Sequence, residues 1–251
     1  MFSFNEKNSI LGHRKLISDL CYYDPTGSYI LSCSADTDIR LWSSTKSNCL
    51  TIYRSHLSPI WCLAAHSKTD RFASGSLDQT VRLWTPERLD ILRTLSSHTD
   101  EINTIDFHPK GKYLASGSND GLIILWALEQ AQPDRIFKTN SPVDRLKFTS
   151  DANFLIAINH TLENKLDSIS IWDLRNVTER KLIENIPSDR RLLKICQIGD
   201  GNDFFTGFSQ TILGFNIQTS QTIRTDFSHL NFSRLIHLSS NESTNLIAIV
   251  E

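Results

Sequence analysis

The run SCSADTDIRLW, Ser32 to Trp42, returns as SGSLDQTVRLW from Ser74 to Trp84 and as SGSNDGLIILW from Ser116 to Trp126. A serine opens each copy, an aspartate follows (Asp36, Asp78, Asp120), and a tryptophan closes it. The closing tryptophans are 42 residues apart, Trp172 comes 46 later, and Phe215 stands in the matching place of TILGFNIQT. A histidine precedes each of four units: His13 after glycine, then His56, His98 and His229 after serine. His56 and His98 are also 42 apart, so two residue types keep one register. A fixed period of this length marks a tandem array in which each unit is one supersecondary element.

Inside a unit the pattern reads as four short strands. In the third, INTIDFHP alternates apolar and polar, and GKYLASGS follows a turn at Pro109 to Gly111. LIILW follows the turn at Asn119 to Gly121, and DRIFKT comes last. Runs of branched and aromatic residues fit a pleated, half-buried surface, while Gly, Asn, Asp and Pro supply the turn geometries between them. No helical periodicity outlasts a turn or two. The fold class is all-β.

Composition narrows the function. Of 251 residues 39% are hydrophobic, and 26 basic against 28 acidic side chains leave a net charge of −2. Neutralising phosphates needs a basic surplus, so neither direct nucleic-acid binding nor attachment to an anionic membrane is expected. The longest apolar run, Leu122 to Leu128, falls far short of the ~20 residues that cross a bilayer. The start, MFSFNEKNSILGH, has no basic segment followed by an apolar one, so secretion is not expected. Cys21, Cys33, Cys49, Cys62 and Cys196 are odd in number and form no C-x-x-C pair, as befits reduced thiols. Sequons at Asn159, Asn176, Asn231 and Asn241 are then expected to go unused.

His98, Ser116 and Asp120 have the residue types of a nucleophilic relay. The same set recurs as His13/Ser32/Asp36 and His56/Ser74/Asp78, whereas an enzyme needs one constellation in one cleft. Gly199-x-Gly201 lacks the third glycine of a dinucleotide loop, and Gly111–Lys112–Tyr113 lacks the hydroxyl of a phosphate loop. Cys62 and His66 have no second pair at zinc spacing. The sequence predicts no catalytic residue, no cofactor site and no metal site.

A Gly-His or Ser-His pair followed by SGSxDxxxRLW resembles the WD-repeat family, whose units are the four-stranded blades of a β-propeller. That resemblance implies six blades, with approximate units 12–53, 54–95, 96–138, 139–183, 184–226 and 227–251. The last would be closed by residues 1–11, with Phe4 in the tryptophan position; an incomplete seven-bladed propeller is the alternative. It also implies a structural tetrad in each unit, the indole donating to serine, serine to histidine and histidine to aspartate. The tetrads are His13, Ser32, Asp36, Trp42; His56, Ser74, Asp78, Trp84; and His98, Ser116, Asp120, Trp126. By the same resemblance a partner-binding top face carries Leu16, Ser18 and Ala35, then Pro59, Trp61 and Leu77, then Glu101, Asn103 and Asn119. Trp61 lies outside the tryptophan ruler, and with Pro59 and Leu77 it would make an apolar spot. In the fourth unit Thr139–Asn140 replaces the histidine pair, and HTLENKLD, His160 to Asp167, reads as a longer, protruding loop.

The stretch Leu11 to Leu128, with Tyr53 and His56, Pro59–Ile60–Trp61 and Phe107–His108–Pro109, resembles the WD-repeat subunits shared by TFIID- and SAGA-type coactivators. The resemblance implies a non-catalytic scaffold in transcription initiation, a nuclear location, and histone-fold transcription subunits as partners. Otherwise a cytoplasmic location is expected. Two alternatives remain open: a generic WD-repeat adaptor, and a cullin-type ubiquitin ligase substrate receptor. The second would dock through Trp172–Asp173–Leu174–Arg175, with Arg175 as the contact.

Overall fold

A computed structural model describes residues 12–24, 26–46, 48–66, 68–139, 141–161, 166–176, 178–187, 195–197, 203–208, 211–217, 219, 221–226, 235–240 and 246–250. The chain forms two compact units, Met1–Lys138 and Thr139–Glu251. Among the described residues every regular element is a β-strand.

The first unit holds three four-stranded antiparallel sheets, each a meander in chain order. Sheet 1 is β1 (Ile17–Tyr22), β2 (Tyr29–Ser34), β3 (Asp38–Ser43) and β4 (Asn48–Arg54). Sheet 2 is β5 (Ile60–His66), β6 (Arg71–Ser76), β7 (Thr80–Trp84) and β8 (Arg93–Ser96). Sheet 3 is β9 (Ile102–Phe107), β10 (Tyr113–Ser118), β11 (Leu122–Ala127) and β12 (Gln132–Lys138). The register repeats with the sequence: Trp42 pairs Ile30, Trp84 pairs Phe72, and Trp126 pairs Leu114.

Alternation puts apolar side chains on both faces of these sheets, as burial on both sides requires. Leu31, Cys33, Ile39, Leu41 and Tyr53 of sheet 1 pack on Leu63, Phe72 and Trp84 of sheet 2. The opposite face of sheet 2, Cys62, Ala64, Ala73, Val81 and Leu83, packs on Ile105, Leu114, Ile124 and Trp126 of sheet 3. The outer strand of sheet 3 carries Pro133, which cannot donate to a further strand and so blunts the edge.

In the second unit, sheet 4 is β13 (Val143–Phe148), β14 (Phe154–Thr161), β15 (Leu166–Asp173) and β16 (Thr178–Pro187). Sheet 5 is β17 (Cys196–Gln197), β18 (Asp203–Phe208), β19 (Thr211–Asn216) and β20 (Thr222–Asp226). The last sheet is two-stranded, β21 (Leu235–Ser240) and β22 (Leu246–Val250). The strands expected from residues 1–11, Phe4 included, lie outside the described residues, as do Asn140 and His229. β16 runs to Pro187, past the boundary placed at 183. The segment HTLENKLD also differs from expectation. His160 and Thr161 end β14, Leu166 and Asp167 begin β15, and both pairs sit in register as a lengthened hairpin. Phe215 pairs and stacks on Phe204, so a phenyl ring fills the place of the indole.

Candidate functional site

Two sets of residues recur from sheet to sheet: a buried polar chain, and a rim where the strands end. In sheet 2, Trp84 Nε1–H donates to Ser74 Oγ at 2.9 Å, and Ser74 Oγ lies 2.7 Å from His56 Nε2. His56 Nδ1 meets Asp78 Oδ2 at 2.7 Å. Sheet 3 repeats the chain through Trp126, Ser116, His98 and Asp120, with contacts of 2.8 Å throughout. In sheet 1, Trp42 donates to Ser32 at 2.8 Å, Ser32 meets His13 at 2.7 Å, and His13 meets Asp36 at 3.1 Å.

Burial sets the protonation of this chain. Loss of water lowers the pKa of His56 and His98, against the upward pull of Asp78 and Asp120. Burial alone would raise Asp36, Asp78 and Asp120, but hydrogen bonds to each carboxylate outweigh it and hold all three low. In sheets 2 and 3 the pairs are therefore neutral imidazole donating to carboxylate. Each aspartate also binds backbone on both sides: Asp120 accepts Leu122 N–H at 2.9 Å and Thr99 N–H at 3.0 Å. The carboxylate thus ties the tight turn of its sheet to the incoming loop. A serine that accepts an indole N–H and donates to a buried imidazole in each of sheets 1 to 3 serves structure.

The fourth sheet wires its tryptophan differently. Leu155 pairs Trp172, so the place of the tetrad serine falls on Ala157, opposite Ser170. Trp172 Nε1–H donates instead to Ser170 Oγ at 3.3 Å, and Asn159 Nδ2 donates to the same oxygen at 3.1 Å.

At the rim, the first strand of each of sheets 1 to 4 slips register by one residue. The bulges fall at Ser18, Trp61, Asn103 and Asp144. A bulge re-aims the side chain it carries and bends the strand, which is why these positions turn out of the ladder. Beside each bulge, one backbone bond closes the rim: Ala35 to Leu16, Leu77 to Pro59, Asn119 to Glu101 and His160 to Pro142, N–H to carbonyl. The first three pairs, with Ser18, Trp61 and Asn103, are the residues expected on a top face. Pro142, Asp144 and His160 hold the equivalent places in sheet 4. Sequence reasoning missed them because the histidine that sets the count is replaced there. The alternation of SPVDRLKF would have found them.

Trp61 is half-buried, and its indole N–H donates across to Glu101 Oε2 at 2.8 Å in sheet 3. Glu101 Oε1 accepts Asn119 Nδ2 at 2.6 Å, and Asn119 Oδ1 accepts Asn103 Nδ2 at 2.6 Å. Ser18 turns inward: its hydroxyl is buried without a partner. Leu16, Leu57 and Leu77 are exposed. In sheet 4, His160 Nδ1 pairs with buried Asp167 at 2.6 Å.

Arg175 lies elsewhere, just past the end of β15. Its Nε and Nη2 donate to Asp173 at 3.0 and 2.8 Å, and it covers the Phe154 ring at 5.3 Å. Docking through Arg175 would require it to exchange Asp173 for a partner's carboxylate. Among the described residues no group of three or more His, Cys, Asp or Glu is placed to hold a metal.

Repeated four-stranded sheets with a buried Trp–Ser–His–Asp chain define a repeat protein of the β-propeller class. The chain carries WD repeats, matching the family model for the WD domain, G-beta repeat (WD40), at residues 4–43, 47–85 and 89–127. It is 36% identical over 72 residues to the striatin homolog of Dictyostelium discoideum, covering 27% of this chain and 9% of that one. It is 34% identical over 53 residues to the Notchless protein homolog of Arabidopsis thaliana, covering 21% and 11%. With pre-mRNA-processing factor 19 of Bos taurus the match is 29% over 68 residues, covering 27% and 13%. The chain thus spans a small part of each of these relatives. A chain of the solved Mitotic Checkpoint Complex superposes with a TM-score of 0.81 at 13% identity, over 95% of this chain and 73% of that one. That likeness is one of fold.

Proposed function

We propose that this WD-repeat protein is a non-catalytic scaffold that grips protein partners through the rim of sheets 1 to 3. One observation carries the reading: Trp61, turned out of the ladder by a bulge, is held by Glu101 at a rim where Leu16 and Leu77 stand exposed. A large ring fixed in place before binding loses little entropy on docking, which suits an interface anchor. Near-neutral net charge favours protein over nucleic acid as the partner.

The finer assignment, a subunit of a TFIID- or SAGA-type coactivator acting in the nucleus on histone-fold subunits, rests on the resemblance of Leu11 to Leu128. The relatives matched above carry other names. Pull-down with purified histone-fold transcription subunits tests it directly. Recovery that is lost in a folded Trp61→Ala variant is the expected result. Recovery of a cullin adaptor instead would replace the coactivator reading, and unchanged binding in Trp61→Ala would remove the rim as the interface.

A further inference from the structure

The loop that follows the tetrad histidine is held alike in sheets 1, 2 and 3. Arg14, Leu57 and Thr99 each give a backbone N–H to the tetrad aspartate of their sheet, Asp36, Asp78 and Asp120. The next carbonyls, of Lys15, Ser58 and Asp100, accept the hydroxyls of Ser34, Ser76 and Ser118. One place further on, the carbonyls of Leu16, Pro59 and Glu101 accept the bonds that close the rim. The three loops are one backbone repeated, and only their side chains differ.

Those side chains change in order along the rim. Sheet 1 presents Arg14 and Lys15, both exposed, ahead of Leu16. Sheet 2 has no charge at the same three places and exposes Leu57 there, with Leu77 across the rim bond from Pro59. Sheet 3 presents Thr99, Asp100 and Glu101. The order is basic, apolar, acidic. Among the described residues none of the four charges is held in an ion pair. Arg14 and Lys15 are bonded to the fold through backbone atoms, and Glu101 accepts from the neutral Trp61 indole and Asn119 amide. The three sheets are neighbours: Leu63 N–H of sheet 2 donates to Asp19 of sheet 1 at 2.9 Å, and the Trp61–Glu101 bond joins sheet 2 to sheet 3.

We propose that the rim takes an extended segment of a partner protein in one orientation, an inference that rests on the rim being the interface. The segment lays acidic side chains on Arg14 and Lys15, apolar ones on Leu57 and Trp61, and basic ones on Asp100 and Glu101. Packed sheets lie about 10 Å apart, so three neighbouring loops span ~20 Å, the reach of about six extended residues. Docked the other way round, the segment would set like charges against like at both ends, and that repulsion selects the direction. The chain's net charge of −2 is too small to supply such selection from a distance, so the ordered charges of the rim act locally.

The probe is a synthetic peptide with aspartates at one end, leucines in the middle and arginines at the other. Its control has the same composition with the charges alternating. Fluorescence anisotropy with the full chain should show the ordered peptide binding about 10-fold or more tighter than the control, by a margin that narrows as salt rises. Arg14→Glu with Lys15→Glu should erase that margin, and a peptide with arginines at both ends should bind this variant as the ordered peptide binds the parent. The urea midpoint of the variant should stay in place, because the bonds of both residues to the fold are made by backbone. Trp61→Ala separates the two readings. Equal binding of ordered and alternating peptides that falls in Trp61→Ala overturns the charge order and keeps the rim as the interface. Ordered binding that is unchanged in Trp61→Ala keeps the charge order and removes Trp61 as the anchor. Binding of neither peptide, or no recovery with the peptide that carries arginines at both ends, overturns the proposal.

Discussion

Ser74 Oγ accepts the indole N–H of Trp84 at 2.9 Å while lying 2.7 Å from His56 Nε2, and neither the serine nor the tryptophan is exposed. Replacing Ser74 by Ala leaves two buried polar groups unmatched. At ~1–3 kcal/mol for each, Ser74→Ala should lower unfolding free energy by about 2–6 kcal/mol. Ser170→Ala removes the corresponding acceptor from Trp172, which is half-buried and can turn to water. Asn159 Nδ2, which is buried, also loses its acceptor on Ser170 Oγ, so that variant should lose about 1–3 kcal/mol, from one buried group rather than two. Urea unfolding of the two variants side by side checks the difference. Equal losses would contradict the rewiring of sheet 4.

Gly75 sits between sheets 2 and 3, where an added Cβ would come within 2.6 Å of both Cys62 Sγ and Ile102 Cγ2. Both neighbours are buried and cannot swing away, so Gly75→Ala should destabilise by about 1–3 kcal/mol through overpacking. Trimming the neighbours in a Gly75→Ala, Cys62→Ala, Ile102→Val triple variant should recover part of that loss in the same unfolding assay. The equivalent position in sheet 1 is Cys33, whose thiol fits there and approaches the Ile60 carbonyl.

The tetrads make stability depend on pH with a fixed sign. Burial lowers His56 and His98, so the unfolded chain takes up their protons more readily than the folded one. Their contribution is fully present above the ordinary histidine value of ~6.5 and declines as pH falls through it toward the folded value. Asp36, Asp78 and Asp120 are held low when folded, so they add a second loss as pH falls below ~3.9. Thermal midpoints from pH 8 to pH 3 should therefore drop in two stages. Gln at positions 56 and 98 should remove the first stage and leave the second.

The fold was readable where one residue type has one structural use. Trp42, Trp84 and Trp126 mark strand ends, each by one indole N–H donated to its serine, and Asp36, Asp78 and Asp120 mark turns, each by several hydrogen bonds accepted from backbone and histidine. Sheet 4 hid its rim because Thr139–Asn140 stands in place of the histidine pair from which the rim positions are counted. The bulges at Trp61 and Asn103 were also beyond reach, since a one-residue slip leaves no mark in composition. Glu101 as the acceptor for Trp61 could not be foreseen either. The two lie 40 positions apart, and only packing of one sheet on the next brings them together.

Asp173 and Arg175 supply the last prediction. The guanidinium donates two parallel bonds to the carboxylate, the geometry that distinguishes arginine from lysine. That contact, first among its causes, holds the Asp173 carboxyl down at about 2. The backbone N–H of Arg175 also donates to Asp173 Oδ1, at 2.9 Å, and would survive loss of the side chain. Arg175→Ala should therefore move the titration of Asp173 upward but short of the ordinary ~3.9. Arg175→Lys, which keeps charge without the fork, should fall between. Carboxyl NMR titration of the two variants reads this directly. An Asp173 that titrates alike in both variants and in the parent would mean that the fork is not closed in solution, leaving Arg175 free for a partner's carboxylate.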